Sequence, residues 1–353
     1  MRTSGASYLC GSLARAWSVE WWGCGVAEFR FLTWNLQNLF AAGTKDGPPT
    51  QEAFDAKVAS LAEVLDAQRP DVAALQELGP PEVLAQLQQR LSQQLPHQQL
   101  SEHPDGRGIR VGFLSRLPLE APVQLHPLTA GLSPVQVADD DQDPATPLPT
   151  SGTMGRGALQ VTVTAHGHPL TILTVHLKSK LLTFPGDRFQ PRDEAERARF
   201  GAYALYLRAA QAATLRAHVE QLLDDNGRTM GVVVAGDLND GLDAATTQLL
   251  QGPPGSEIGT PGFARPDGGD GQRLWNLAPL IPEAQRFTRV FRGRGELIDH
   301  VLVSHFLVTK PTVVTTAMAS PGRLRSISEN PRAELGKPGS DHAAVVASLD
   351  LPI

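Results

Sequence analysis

Val232-Val-Val-Ala-Gly-Asp237-Leu-Asn239-Asp240 is the stretch around which the rest of the chain can be arranged. Four small apolar residues, three of them β-branched, read as a buried strand. Gly236 then lets the chain turn, and three polar residues follow at once. In open α/β folds chemistry collects where strands end and loops begin. On an extended backbone Asp237 and Asn239 alternate across Leu238 and share a face. A carboxylate beside an amide can hold a water next to a developing oxyanion. The same residues also suit an Asx-rich turn. Both readings stand on this stretch alone, so the other strand ends have to decide between them.

Those ends carry the same kind of chemistry. Toward the C-terminus, Leu297-Ile-Asp299-His-Val-Leu-Val303 embeds a carboxylate in an apolar run, where a buried charge must be paired. Gly339-Ser-Asp341-His342 precedes a last apolar strand over residues 343–349. Toward the N-terminus, strands over 157–165 and 169–175 meet at a Gly167-His168 turn, and the second ends in His176-Leu-Lys178-Ser-Lys180. A strand over 71–75 ends in Gln76-Glu77, and one over 28–34 ends in Asn35. Two further strands are expected over 109–115 and 122–127. Apolar residues at spacings of three and four predict helices over 52–68, from Pro80-Pro81 through Leu91, over 193–224, and briefly over 244–250. Several strands are joined as hairpins, which excludes a doubly wound parallel sheet. The expected fold is α/β, with two mixed, mainly antiparallel sheets packed face to face and helices outside.

The totals suit one globular catalytic domain. Of 353 residues, 41% are hydrophobic and 19% charged, and the formal net charge is -6. There is no global basic field to hold a polyanion, so any grip on one must be local. The two cysteines, Cys10 and Cys24, precede the first strand, which excludes a disulfide framework and a zinc-finger-type site. No apolar run reaches membrane-spanning length. Residues 1–27 form a leader interrupted by Arg15, Glu20 and Trp21-Trp22, a poor match to a secretory signal. Residues 28–353 are expected to form the single domain, a monomer with no protein partner implied. From His176 to Arg216 the chain has eight basic residues against four acidic ones. This stretch is either a solvated helix face or a surface for a phosphate backbone. The run Asp139-Asp-Asp-Gln-Asp143 reads as a solvated loop.

The residues at strand ends are Asn35, Glu77, His176, Asp237, Asn239, Asp299, Asp341 and His342. Carboxylates with amides and no cysteine make a hard-oxygen site suited to Mg²⁺ or Mn²⁺. Two histidines beside it can move protons, with Asp299 pairing one of them. Such a set suits attack of water on a phosphate ester, with Arg156, preceding a strand, and Lys178 holding the phosphate. No phosphate-binding glycine loop of the P-loop type is present.

The ordered segments Thr33-Trp-Asn35, Leu75-Gln-Glu77, Arg110-Val-Gly-Phe-Leu-Ser-Arg116, His176-Leu-Lys178, Gly236-Asp237-Leu-Asn239, Leu297-Ile-Asp299 and Ser340-Asp341-His342 resemble the deoxyribonuclease-I-like endonuclease/exonuclease/phosphatase superfamily. They span nearly the whole chain. The resemblance implies a four-layer α/β sandwich with its site at one edge of the two sheets. It implies that Glu77 is the main metal ligand, supported by Asn35 and Asp341. Asp237 would orient or deprotonate the attacking water, and Asn239 would contact the phosphoryl group. His342, paired with Asp299, would act as base or stabilise charge, and His176 would assist the leaving group. Arg156 matches a phosphate-contacting arginine. The segment from His176 to Lys180 with the basic helix after it is most similar to bacterial extracellular-type nucleases, although their signal peptide and nearby cysteines are missing. The expected activity is metal-dependent hydrolysis of phosphodiester bonds in DNA or RNA. The alternatives are a phospholipid head group, as in sphingomyelinases, or a soluble phosphate ester. A silent metal-binding scaffold is the reading from another class. A lipid reading would use Leu181-Leu-Thr-Phe184 as an apolar contact with the membrane.

Overall fold

The apolar run of residues 232–235 has no polar face because both of its faces are covered. In the computed structural model, described for residues 25–139, 148–186, 188–260, 262–263, 265–318, 324–328 and 330–353, two six-stranded sheets pack together. Val233 and Ala235 point into the space between the sheets. Val232 and Val234 point outward, against Ala212, Leu215 and Val219 of the helix Glu194–Leu223. The first strand does the same on the other sheet. Phe29 and Phe31 face inward, while Leu32 and Trp34 pack with Phe54, Val58, Leu61 and Leu65 of the helix Gln51–Gln68. The result is helix, sheet, sheet, helix. Burying each large side chain in it contributes about 1.5–3 kcal/mol.

The first sheet runs Pro311–Ala317, Ala344–Pro352, Val26–Leu39, Val72–Leu78, Arg110–Ser115, His97–Leu100. The second runs Leu274–Asn276, Asp299–Ser304, Gly231–Asp237, His168–His176, Thr153–Ala165, Glu120–Pro127. Each contains one parallel pair, Val26–Leu39 with Val72–Leu78 and His168–His176 with Gly231–Asp237, and its other pairings are antiparallel. The C-terminal ends of these parallel strands meet at one edge of the sandwich. The helices start and stop where their caps dictate. Thr50 and Asp193 accept the backbone N–H of Ala53 and Glu196, and Arg69 and Asp224 close the C-termini in the left-handed region.

Several local expectations shift. Val26 and Ala27, assigned to the leader, are paired with Pro352 and Leu351 inside the first strand. Residues 1–24, with both cysteines, lie outside the described residues, as do residues 140–143 of the acidic run. The tight turn is His166-Gly167, where φ is 50° and 84°, and His168 already belongs to the next strand. Two consecutive left-handed residues match the twist of a hairpin. Arg156 lies within the strand Thr153–Ala165 and does not precede it. The strands His97–Leu100 and Pro311–Ala317 were not anticipated; they pair at the two edges of the first sheet.

Gly236 also behaves differently. The strand does not turn there but continues to Asp237, in register with His176 on one side and Asp299 on the other. Gly236 takes φ 146°, and a Cβ there would sit 2.0 Å from the Val175 carbonyl oxygen. Gly236→Ala should therefore cost about 3 kcal/mol of unfolding free energy in urea, from backbone strain and displacement of the neighbouring strand. Unchanged stability would show that the close approach to Val175 carries no weight.

Candidate functional site

Asn35 sits where the two sheets meet. Its side-chain nitrogen donates to Glu77 Oε1 at 3.2 Å in its own sheet and to Asp237 Oδ2 at 2.9 Å in the other. Its side-chain oxygen accepts the Gln37 N–H at 2.9 Å. The register between the first two strands breaks after Asn35, and Gln37, Asn38 and Glu77 all take positive φ. This irregularity re-aims the Glu77 carboxylate, as bulges near active sites do. The Asn38 N–H then donates to Glu77 Oε2 at 2.7 Å. As placed, Asn35 holds two carboxylates by its N–H groups and does not turn an oxygen toward them.

The alternation of Asp237 and Asn239 on an extended backbone does not occur. Asn239 takes φ 53°, and its N–H donates to Asp237 Oδ1 at 2.8 Å. The Asx turn forms, and both side chains still line the cleft. Asn239 Nδ2 donates to the Leu177 carbonyl at 3.1 Å. His176 Nε2 lies 3.3 Å from Asp237 Oδ2, and its Nδ1 is buried with no partner among the described residues.

His342 Nδ1 is 2.7 Å from Asp299 Oδ2, and Asp237, Asp299 and His342 form one buried cluster. The Ser340-Asp341-His342 turn is fixed from three directions. Ser340 Oγ donates to the Asn35 carbonyl at 2.7 Å, Trp34 Nε1 donates to the His342 carbonyl at 2.8 Å, and the Ala343 N–H donates to the Thr288 carbonyl at 2.7 Å. The two histidines are driven apart in pKa. Burial lowers His176 well below the usual histidine value, with Arg156, His342, Arg107 and Lys178 adding to it. Burial also opposes charge on His342, but Asp299, Asp341 and Asp237 outweigh it and raise its pKa to about 10. Burial and Asp299 raise Asp237 to about 6, against His342, Asn35 and Arg289.

Glu77 and Asp341 offer oxygens on the first-sheet side. Burial pushes the Asp341 carboxyl up and Glu77 adds to it, against His342, Lys57 and Arg325. No hydrogen-bond donor reaches that carboxylate among the described residues. Two mutually repelling carboxylates, one of them without a donor, fit a hard divalent cation.

The cleft above this floor measures about 500 Å³. Of the two proposed phosphate cations, Arg156 lines it but is engaged, with Nε on Asp105 Oδ2 and Nη1 on the Leu177 carbonyl, both at 3.1 Å. Lys178 is not on its lining. Its Nζ turns to the Leu181 carbonyl, and burial pulls its pKa down to about 8. The basic stretch is largely neutralised, partly by its own glutamates and partly by aspartates from outside it. Arg188 pairs with Glu196, Arg197 with Glu194, Arg199 with Asp139, and Lys180 and Arg208 with Asp240. Residues 181–184 are not an exposed apolar hairpin. Phe184 is buried against Phe200, and Leu181 and Leu182 line the cleft. The sequence reading missed Arg107, Arg289, Phe291 and Arg292 on the walls. The signal was present in the spacing Arg286-Phe-Thr-Arg-Val-Phe-Arg-Gly-Arg294, which reads as a strand and hides four arginines.

Residues 32–342 match the sequence model of the Endonuclease/Exonuclease/phosphatase family. No curated protein matches the chain by sequence. Among solved structures, truncated Caenorhabditis elegans TDP2 superposes with a TM-score of 0.53 at 16% identity, covering 92% of this chain and 98% of that one. An endonuclease/exonuclease/phosphatase family protein from Bacteroides thetaiotaomicron gives 0.52 at 13% identity, covering 93% and 97%. At these identities the likeness is one of fold.

The buried ion pair makes a prediction about stability. The folded pKa of His342 lies above its unfolded value, so its contribution is complete below about pH 6.5 and is lost as pH rises through about 10. In EDTA, Asp299→Asn should be about 3–5 kcal/mol less stable than wild type at pH 6, with the gap shrinking toward pH 10. Chemical denaturation across that range measures it, and a gap independent of pH would rule out a charged pair.

Proposed function

The chain belongs to the endonuclease/exonuclease/phosphatase family, and from that premise we propose that it hydrolyses phosphodiester bonds of nucleic acid with a divalent metal. The observation that carries this reading is the floor itself, with Asp237 and the Asp299–His342 pair facing Glu77 and Asp341 beneath a wall of cations. Around the cleft stand Arg107, Arg156, Lys180, Arg197, Arg289 and Arg292, of which Arg156, Lys180, Arg197 and Arg289 are each held by a carboxylate. Guanidinium and ammonium groups gathered on the walls of one cleft, in a chain of net charge -6, suit a polyanion.

Each residue has a role that follows from its position. Glu77 and Asp341 would hold Mg²⁺ or Mn²⁺, which supplies Lewis-acid neutralisation of the phosphoryl oxygens. Asp237, with a pKa near 6, is mostly ionised at neutral pH yet still basic enough to orient and deprotonate a water. His176 stays neutral and, with Asn35, holds the Asp237 carboxylate at Oδ2. Asn239 would present its amide to the phosphoryl group. His342, kept protonated by Asp299, stabilises charge developing on the phosphate. Arg156 braces the wall through Asp105 and the Leu177 carbonyl.

The test compares wild type, Asp237→Ala and His342→Ala on single- and double-stranded DNA, RNA, sphingomyelin vesicles and an inositol phosphate, with Mg²⁺ or EDTA. Metal-dependent cleavage of nucleic acid, reduced about 10²–10⁴-fold by either substitution, is expected. Turnover of lipid or small ester alone would keep the chemistry and reject the polymer substrate. No turnover of anything, with metal still bound, would leave a silent scaffold.

A further inference from the structure

The cleft has a feature that hydrolysis of a phosphate does not require. A tongue made of Arg289–Phe291 and Arg294–Glu296, with Ser326–Ile327 alongside, forms one wall. It is built into the catalytic floor. Arg289 bridges to His342 across the backbone, the Ala343 N–H donates to the Thr288 carbonyl, and the Asp299 N–H donates to Thr288 Oγ1 at 3.3 Å. Arg289 also pairs with Glu296 at 2.6 Å, which stiffens the hairpin. Phe291 follows Arg289 by two residues and so shares its face of the strand. It is half-buried, lines the cleft, and has the guanidinium carbons of Arg289 and Arg292 at 5.6 and 5.7 Å from its ring centroid. Leu182 and Phe189 line the cleft as well, from the loop that follows His176.

Resting on the nucleic-acid reading above, we propose that this cleft takes an unstacked, single-stranded segment, with Phe291 and its flanking guanidinium planes as the stacking platform for a base next to the scissile phosphate. A duplex keeps its bases in the stack and offers phosphate and sugar to a protein, so a half-buried ring inside a cleft would have nothing to contact. Single strands are gripped by the combination present here, aromatic rings for the bases and arginines for the backbone. A lipid surface calls for apolar groups exposed on a rim. Here the apolar groups are inside the cleft, interleaved with guanidiniums. Because the tongue hydrogen-bonds directly to the residues flanking His342 and Asp299, the platform is held at a fixed distance from the reacting phosphate.

The experiment measures kcat and KM of wild type, Phe291→Ala and Phe291→Trp, with Mg²⁺, on a single-stranded oligonucleotide, the same strand in duplex, and an abasic oligomer of equal length. Stacking of one base corresponds to a change of about 10–100-fold. Phe291→Ala should raise KM for the base-bearing strand by that factor, Phe291→Trp should restore it, and the abasic oligomer should be a poor substrate whose KM the substitution hardly changes. Equal losses on base-bearing and abasic strands would overturn the platform. A duplex cleaved as readily as the single strand would overturn the strand preference. If wild type cleaves none of the three but does cleave a lipid or small ester, the nucleic-acid reading itself has failed, which is a different outcome from either.

Discussion

Everything in the site depends on one amide placed between two sheets. Asn35 donates to Glu77 on one side and to Asp237 on the other, so the packing of the sandwich and the spacing of the carboxylates are the same fact. That arrangement concentrates negative charge where water is scarce. Glu77, Asp237, Asp299 and Asp341 converge at one edge, and three of them are more than 90% buried. Uncompensated, such a cluster would oppose folding. His342, held protonated by Asp299, is one compensating cation. Lys57 is another. It reaches from the helix Gln51–Gln68 to the Gly339 carbonyl, and burial lowers its pKa to about 8 against the pull of Asp341 and Glu77. A divalent ion on Glu77 and Asp341 would supply the rest, which makes metal binding part of the same electrostatic problem as folding.

The parts that could be read in the sequence share one property. Strand ends are set by local patterning, so Asn35, Glu77, His176, Asp237, Asp299 and His342 could each be placed at the end of an apolar run without knowing what faced it. The sandwich could be read for the same reason, since the periodicities of two and of three to four separate sheets from helices. What failed required knowing the partner. Lys178 alternates with His176 in sequence, yet its backbone is captured by Gln211 and Arg208 from the long helix, and its ammonium turns away from the cleft. Gly236 looks like a turn residue because turns favour glycine. Here it is needed because the neighbouring strand's Val175 carbonyl leaves no room for a Cβ.

The basic stretch shows why a local charge count is weak evidence. Its excess of cations is real, but their acidic partners come from elsewhere. Asp139 comes from the connection between the strands Glu120–Pro127 and Thr153–Ala165, and Asp240 from the segment after the strand Gly231–Asp237. Asp240 takes Arg208 at 3.0 Å and Lys180 at 2.8 Å, and accepts the Thr246 hydroxyl at 2.7 Å. Arg208, 5% exposed, is thereby a tie between the helix, the segment after His176 and the segment after Asp237. Arg208 spends its charge on fixing the floor. Two of the arginines on the cleft wall, Arg289 and Arg292, come instead from a hairpin more than seventy residues further along the chain.

Floor and wall therefore obey different rules. Positions on the floor are set by strand register, with His176, Asp237 and Asp299 side by side across three paired strands. A one-residue slip would turn every one of them to the opposite face. Such a frame fixes distances and tolerates little change, which suits chemistry that fails when reacting atoms move by an ångström. The walls come from loops and from the short tongue, whose contacts to the frame are mainly backbone hydrogen bonds near Thr288 and His342. Side chains there can change without disturbing the register below. The same sandwich can therefore keep one way of cleaving a phosphate ester while the walls select which molecule carries it.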